Sequence, residues 1–151
     1  MRALRALLLL ALLAGCAGSL PPGGLGPGGG ARLAGGGGDA PICTRVSAAL
    51  LRGQRNSFGL NFREAEDAFT ELLSLYAIED VAALCPTAPS RAFVLMNQAL
   101  AHSSQERFVT ADGLFDRAGE LLEGPEADHP DADRDRALLV AYRAQDRKSV
   151  V

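Results

Sequence analysis

The chain has 151 residues, of which 15 are Lys or Arg and 18 are Asp or Glu, so its formal net charge is −3 at neutral pH. This acidic balance, without a stripe of basic residues interleaved with aromatic ones, argues against a nucleic-acid-binding protein. From residue 44 onward the apolar residues follow a helical period and no stretch alternates over strand length, which predicts an all-α fold class.

The first 15 residues have the layout of a secretory signal peptide. Arg2 and Arg5 give a positive start, and an unbroken apolar run from Ala6 to Leu13 follows. A membrane-spanning helix needs about 20 consecutive apolar residues, and this run is shorter. The pattern therefore predicts export.

The order Leu13-Ala14-Gly15-Cys16 resembles the lipobox of bacterial lipoproteins. The resemblance implies that Cys16 carries lipid and becomes the new N-terminus, so that a lipid anchor holds the protein on a membrane of the bacterial envelope. An ordinary cleaved signal peptide is the alternative. Ala17 stands where an Asp would resemble an inner-membrane retention signal, which favours the outer membrane, facing the periplasm.

Residues 16–41 contain little besides Gly, Pro, Ala, Leu and Ser after the cysteine. Such a segment cannot bury enough apolar surface to offset its ordering entropy, so a disordered, flexible tether is predicted. A Gly-rich coil of about 25 residues spans on the order of 25–30 Å. About 110 residues then remain, enough for one small domain or part of a larger one.

Two cysteines, Cys43 and Cys85, follow the predicted tether. In an exported domain they can form a disulfide, and two free buried thiols are the alternative. His102 and His129 have no Cys or His at ligand spacing, so no metal site is predicted.

Five amphipathic helices are predicted between residues 42 and 145. Each is marked by an apolar face with a spacing of three and four residues. The faces are Val46, Ala49, Leu50 and Gly53; Phe62, Ala65, Ala68, Phe69, Leu72 and Leu73; Phe93, Met96 and Leu100; Phe108, Ala111, Phe115, Ala118 and Leu122; and the segment from Arg134 to Gln145.

The second and fourth helices are copies of one unit. "NFREAEDAFTELL" and "RFVTADGLFDRAG" place Phe, Ala and Phe at identical offsets, and a small residue, Gly53 or Ala99, stands 12 positions before each of these alanines. Small residues at both positions let the two helices of a pair approach closely. This pattern resembles the tetratricopeptide repeat, which implies antiparallel helix hairpins stacked as an α-solenoid.

The chain departs from that family in three respects. Asn56 and His102 stand where the family has an aromatic residue, and Leu72 stands where the second copy has the expected alanine, Ala118. The family period is 34 residues, whereas Phe62 and Phe108 are 46 apart. The additional residues lie in "YAIEDVAALCPTAPS", which predicts either an extended second helix, continuous or with a one-turn break, or a short extra helix.

The fifth helix has the character of the first helix of another repeat, and no second helix follows it. Because repeats need neighbours to cover their apolar faces, the helical part is predicted to be incomplete at its C-terminus. The last six residues, 146–151, contain the chain's single lysine. They can be encoded by the start of a widely used sequencing adapter, so a non-native tail is hypothesised.

No catalytic constellation, cofactor motif or small-molecule site is recognised. The serines lack a Gly-flanked elbow, and the acidic residues of the second helix lie on its solvated side. In the resembled family, the first helices of successive repeats line a groove. The resemblance therefore implies partner-binding residues, namely Phe93, Met96, Asn97, Leu100, Ser104, Gln54 and Asn56. The alternative is that Phe93, Met96 and Leu100 pack beneath further repeats.

The function predicted on these grounds is that of a non-catalytic, membrane-anchored scaffold that binds protein or peptide partners in the bacterial envelope. The alternative is the recognition arm of a larger peptidase of the caspase-like CHAT type, with its catalytic domain beyond this chain. A lipoprotein that assists outer-membrane assembly is a third hypothesis.

Overall fold

A computed structural model describes residues 41–147 as an all-helical domain. Predictions for Cys16, for the leader and tether, and for residues 148–151 concern positions outside that range. Six helices are present within it: α1 (Ile42–Phe58), α2 (Phe62–Ile78), α3 (Val81–Leu84), α4 (Arg91–Ser104), α5 (Phe108–Glu123) and α6 (Ala132–Arg147). The predicted all-α class is confirmed.

The longer helices pack as antiparallel hairpins, α1 with α2 and α4 with α5. The two connecting turns are alike, because Leu60 and Glu106, 46 residues apart, both have a φ of 62°. Corresponding backbone hydrogen bonds close both turns: Leu60 N to Ser57 O and Asn61 N to Asn56 O in the first, Glu106 N to Ser103 O and Arg107 N to His102 O in the second. The copy relationship read from the sequence therefore extends to the backbone of the turns.

Most of the residues predicted to pack within the hairpins belong to two neighbouring apolar clusters. Most of them are buried, whereas Phe62 and Phe108, at the helix starts, are only partly buried. The buried members of the predicted set are Gly53, Ala65, Phe69, Ala99, Ala111, Phe115 and Ala118. The small residues thus lie inside the domain, where the helices approach one another.

The inserted segment contains both predicted features, an extension and a short helix. Helix α2 continues to Ile78, and the one-turn helix α3 follows after a break. The Oδ1 atom of Asp80 accepts a hydrogen bond from Ala83 N at 3.2 Å and so caps α3. Buried Val81 and Cys85 attach this segment to the cluster that contains α1 and α2.

A disulfide joins Cys43, in the first turn of α1, to Cys85, directly after α3. Of the two alternatives left open by the sequence, the structure therefore contains the bridged pair. The bond connects residues 42 positions apart, and it holds the start of the helical domain to the inserted segment.

Helix α6 packs against α5 and α4. It begins at Ala132, directly after Asp131, and extends through Arg147, two residues past the predicted boundary. Asp146 is buried, and its Oδ1 accepts a hydrogen bond from the Ser103 hydroxyl. In residues 41–147, no helix is long and apolar enough to cross a membrane.

Candidate functional site

Helix α4 is the central element of the domain, because it contacts α2, α5 and α6. Those contacts bury most of its residues. Phe93, Leu100 and Ser104 remain partly or fully exposed, and together with Asn97 they follow the spacing i, i+4, i+7 and i+11, which a helix places on a single face. We call this set the α4 stripe; its members are Phe93, Asn97, Leu100 and Ser104.

Exposure along the α4 stripe is graded. Phe93 and Leu100 are partly buried against the apolar cluster, and Ser104 is exposed. Asn97 is 9% exposed, and its Nδ2 donates to the carbonyl O of Phe93 at 2.8 Å. Met96, also predicted to contact a partner, is fully buried and packs in the core. The alternative of a packing role fits Met96, and Asn97 is largely buried too, whereas Phe93, Leu100 and Ser104 reach the surface in part or in full.

Helix α6 forms one border of the α4 stripe. The guanidinium carbon of Arg134 lies 5.3 Å from the centre of the Phe93 ring, within the range of a cation–π contact. Arg134 also forms ion pairs with Asp131 and Asp135. Leu138 is partly buried against the same cluster. The border therefore combines an arginine held in place with apolar surface.

On α1, Gln54 and Asn56 are both partly buried. Gln54 lies 46 residues before Leu100. Gln54 therefore occupies the position on α1 that corresponds to Leu100 in the α4 stripe. The same offset relates Asn56 to the buried His102, so Asn56 belongs beside the packed side of α1.

Sequence reasoning missed two residues of the α1 face. Leu51 is 62% exposed and Phe58 is 49% exposed. The 46-residue offset relates them to Asn97 and Ser104 of the α4 stripe. Applying the offset to the whole stripe, rather than to the packing residues alone, would have identified them.

The N-terminus of α4 is fixed by residues from distant parts of the chain. The Ser90 hydroxyl accepts from Phe93 N at 2.9 Å and donates to Asp135 Oδ2 at 2.6 Å. The Glu126 carboxylate accepts from Arg91 N at 3.0 Å and from Ala92 N at 2.9 Å. The Glu126 carboxylate thus pairs two amides that have no partner within the helix, at the end where the helix dipole favours negative charge. This arrangement determines where Phe93 lies relative to α6.

At the other end of α4, His102 is buried and its Nε2 lies 3.4 Å from Glu66 Oε1. Burial lowers the pKa of His102, which the nearby Glu66 carboxylate partly opposes. The hydrogen bond from Arg107 holds the pKa of Glu66 below its usual range. Among the described residues, His102 Nδ1 has no hydrogen-bond partner. The cluster joins α2, α4 and the turn before α5.

Residues 41–147 contain no group of three or more His, Cys, Asp or Glu side chains that could hold a metal ion. No protein-family model matches the chain, and neither the curated proteins nor the solved structures include a detectable relative.

Proposed function

We propose that this protein is a scaffold of the tetratricopeptide-repeat type, attached to the bacterial envelope by lipid on Cys16. Its helical domain binds a peptide segment of a partner protein across the α4 stripe and the corresponding face of α1. The chemistry within this chain is recognition, without catalysis.

The observation that carries the proposal is the exposure of large apolar side chains at equivalent positions of the two hairpins. Leu51 and Phe58 on α1, and Phe93 and Leu100 on α4, occupy stripe positions and retain surface that the domain itself does not cover. Exposed apolar side chains grouped on one face are typical of interaction sites, whereas scattered ones need no explanation.

The polar groups of the stripe suit a peptide ligand. Asn97 uses Nδ2 within α4, and its Oδ1 receives no hydrogen bond from a described residue. A carbonyl oxygen between two apolar side chains can accept from the backbone N–H of a bound segment, and such hydrogen bonds fix the orientation of a ligand.

Two features support the repeat and the envelope location. The turns of the two hairpins match at an offset of 46 residues, and buried Gly53 and Ala99 stand at the small-residue positions of the repeat. The Cys43–Cys85 disulfide suits an oxidising compartment outside the cytoplasm. The lipid anchor itself rests on the sequence around Cys16.

The binding proposal is tested by selecting random dodecapeptides displayed on phage against the immobilised full chain. Enriched peptides are then titrated by fluorescence polarisation against Leu51→Arg and Ser104→Arg variants. Both positions are exposed, so folding is preserved. An arginine in an apolar contact must be desolvated, and we expect at least about a tenfold loss of affinity.

Val109→Arg is the matched control, because Val109 is 89% exposed and lies on α5, outside the stripe. Peptides that bind all three variants as well as the original chain would contradict the proposal. A selection that enriches no sequence would do the same.

A further inference from the structure

A cavity of about 610 Å³ lies at the start of α4, between the end of α2, helix α3 and the loop from α5 to α6. Its volume falls within the range of about 300–1,000 Å³ that is usual for ligand-binding pockets. A second cavity of about 420 Å³ shares Tyr76, Arg91 and Pro125 with the first. The two cavities are therefore adjacent, and no member of the α4 stripe lines either of them.

The lining of the larger cavity is poor in hydrogen-bond donors. Four of its residues are prolines, which have no backbone N–H; they are Pro86, Pro89, Pro125 and Pro130. The Tyr76 hydroxyl donates to the carbonyl O of Pro89, and the Ser90 hydroxyl donates to Asp135. These hydroxyl donors are therefore engaged within the domain.

Negative charge in the same lining exceeds positive charge. Glu79, Asp80, Glu126 and Asp128 contribute carboxylates, and Arg91 is the single basic residue besides a histidine. Arg91 Nε lies 3.1 Å from Glu126, so these two charges offset each other. Glu79 and Asp128 are exposed and take part in none of the ion pairs found among the described residues. The carboxylates of Glu79 and Asp128 thus have no cationic partner within residues 41–147.

The smaller cavity has a different character. Leu73, Ala77, Leu95 and Leu121 contribute apolar surface to its lining, beside the charged Arg117 and Glu120. A ligand that occupies both cavities therefore needs a donor-rich cation at one end and an apolar group beside it.

We infer that this double cavity binds an extended segment of a partner protein that carries an arginine or lysine next to a large apolar residue. The cation enters the proline-lined cavity near Glu79 and Asp128, and the apolar neighbour occupies the smaller one. Guanidinium and ammonium groups supply several donors and no acceptor, which complements this lining. The site is additional to the α4 stripe.

The probe is a fluorescein-labelled Gly-Arg-Leu-Gly peptide, titrated against the full chain by fluorescence polarisation. Two further peptides test the chemistry: one replaces arginine by citrulline, which keeps the shape and removes the charge, and one replaces leucine by glycine. We expect both changes to weaken binding. Equal affinity for the arginine and citrulline peptides, or no binding of the arginine peptide at about 1 mM, would overturn the inference.

Variants of the protein separate a site from general charge attraction. The double variant Glu79→Gln/Asp128→Asn should weaken binding at least about fivefold through loss of two charge contacts. Ala82→Trp, at an exposed lining position, should obstruct the cavity without altering charge. Glu64→Gln/Asp67→Asn is the matched control, since it removes the same charge from exposed positions of α2.

The control double variant should bind the arginine peptide like the original chain. If both double variants weaken binding equally, diffuse attraction to an acidic protein explains the result and the site is refuted. An Ala82→Trp protein with unchanged affinity would also refute it. None of these measurements involves the α4 stripe, so they can fail while the proposed scaffold function stands.

Discussion

Gly53 of α1 faces the ring of Phe69 on α2. A Cβ atom placed on Gly53 would lie 2.5 Å from Phe69 Cε1, and the ring is completely buried. A separation below 3.0 Å requires something to move, and a buried ring packed on all sides has little room. The absence of a side chain at residue 53 therefore determines how closely the first hairpin packs.

Gly53→Ala should destabilise the protein even though alanine is the better helix former. Overpacking of a close contact costs about 1–3 kcal/mol, which exceeds the gain in helix propensity of about 1 kcal/mol. The free energy of unfolding, measured with urea, should decrease accordingly.

Gly113→Ala is the control for this substitution. Gly113 is also inside a helix, and a Cβ there would meet nothing within 4 Å. We expect this variant to gain about 0.5–1 kcal/mol. If both alanine variants are stabilised, the close contact between Gly53 and Phe69 does not restrict the packing.

The hairpins were predictable because their determinants are local in sequence. The spacing of Phe108, Ala111 and Phe115 specifies one face of one helix, and its repetition 46 residues earlier specifies the partner unit. The burial of Met96 was not predictable in this way. Its helix is enclosed on several sides, including by α6, and a helical period cannot show how many neighbours cover a face.

The capping of α4 was equally inaccessible to sequence reasoning. Glu126 binds the amides of Arg91 and Ala92 from more than 30 residues away, and such a pairing leaves no local pattern. The structure of the inserted segment could be predicted only in part. Its polar and apolar residues allowed both an extension and an extra helix, and the structure contains a share of each.

Replacing both Cys43 and Cys85 by serine should lower the stability of the domain by about 4 kcal/mol in the chain-entropy model, because the bond closes a loop between residues 42 positions apart. Urea unfolding with and without dithiothreitol measures the effect. The reductant should destabilise the original chain, and it should leave the double serine variant unchanged. A midpoint that dithiothreitol does not shift in the original chain would show that the bridge is absent.

Ser90→Ala should cost about 1–3 kcal/mol. The change removes an N-cap and leaves Asp135, which is fully buried, without the hydrogen bond from the Ser90 hydroxyl. Ser74→Ala is the control, because Ser74 is exposed and bonds only the carbonyl of its own helix. Thermal unfolding of the two variants should differ by several degrees for a domain of this size. Equal melting temperatures would argue that the Ser90–Asp135 contact contributes nothing.

Cys16→Ser should release the protein from the membrane fraction of an expressing bacterium. Several acyl chains at one cysteine hold a protein firmly, since each buried methylene contributes about 0.8 kcal/mol. The Cys43→Ser/Cys85→Ser variant controls for the loss of a cysteine as such and should remain with the membranes. Fractionation that finds the Cys16→Ser protein still sedimenting with membranes would defeat the lipid-anchor proposal.

Mild acid should destabilise the domain through His102. Burial holds the folded-state pKa of His102 below the ordinary value of 6.5. At a pH between the folded-state pKa and 6.5, the unfolded chain therefore binds the proton more readily than the folded chain. The contribution of the neutral histidine is thus fully present above pH 6.5 and is lost as the pH falls through the folded-state pKa. Glu66 faces His102 from α2 and opposes this shift, whereas Arg107 strengthens it.

The contribution of Glu66 to the stability also decreases as the pH falls, but it does so over a lower pH range. The Arg107 hydrogen bond depresses its pKa below 4.5, so that stability declines only as the pH falls below that value. Urea unfolding of the original chain and of His102→Gln at pH 7.5 and pH 5.0 separates the two groups. The His102→Gln protein should lose less stability between these two pH values than the original chain. Identical losses in the two proteins would show that His102 is not the group that titrates.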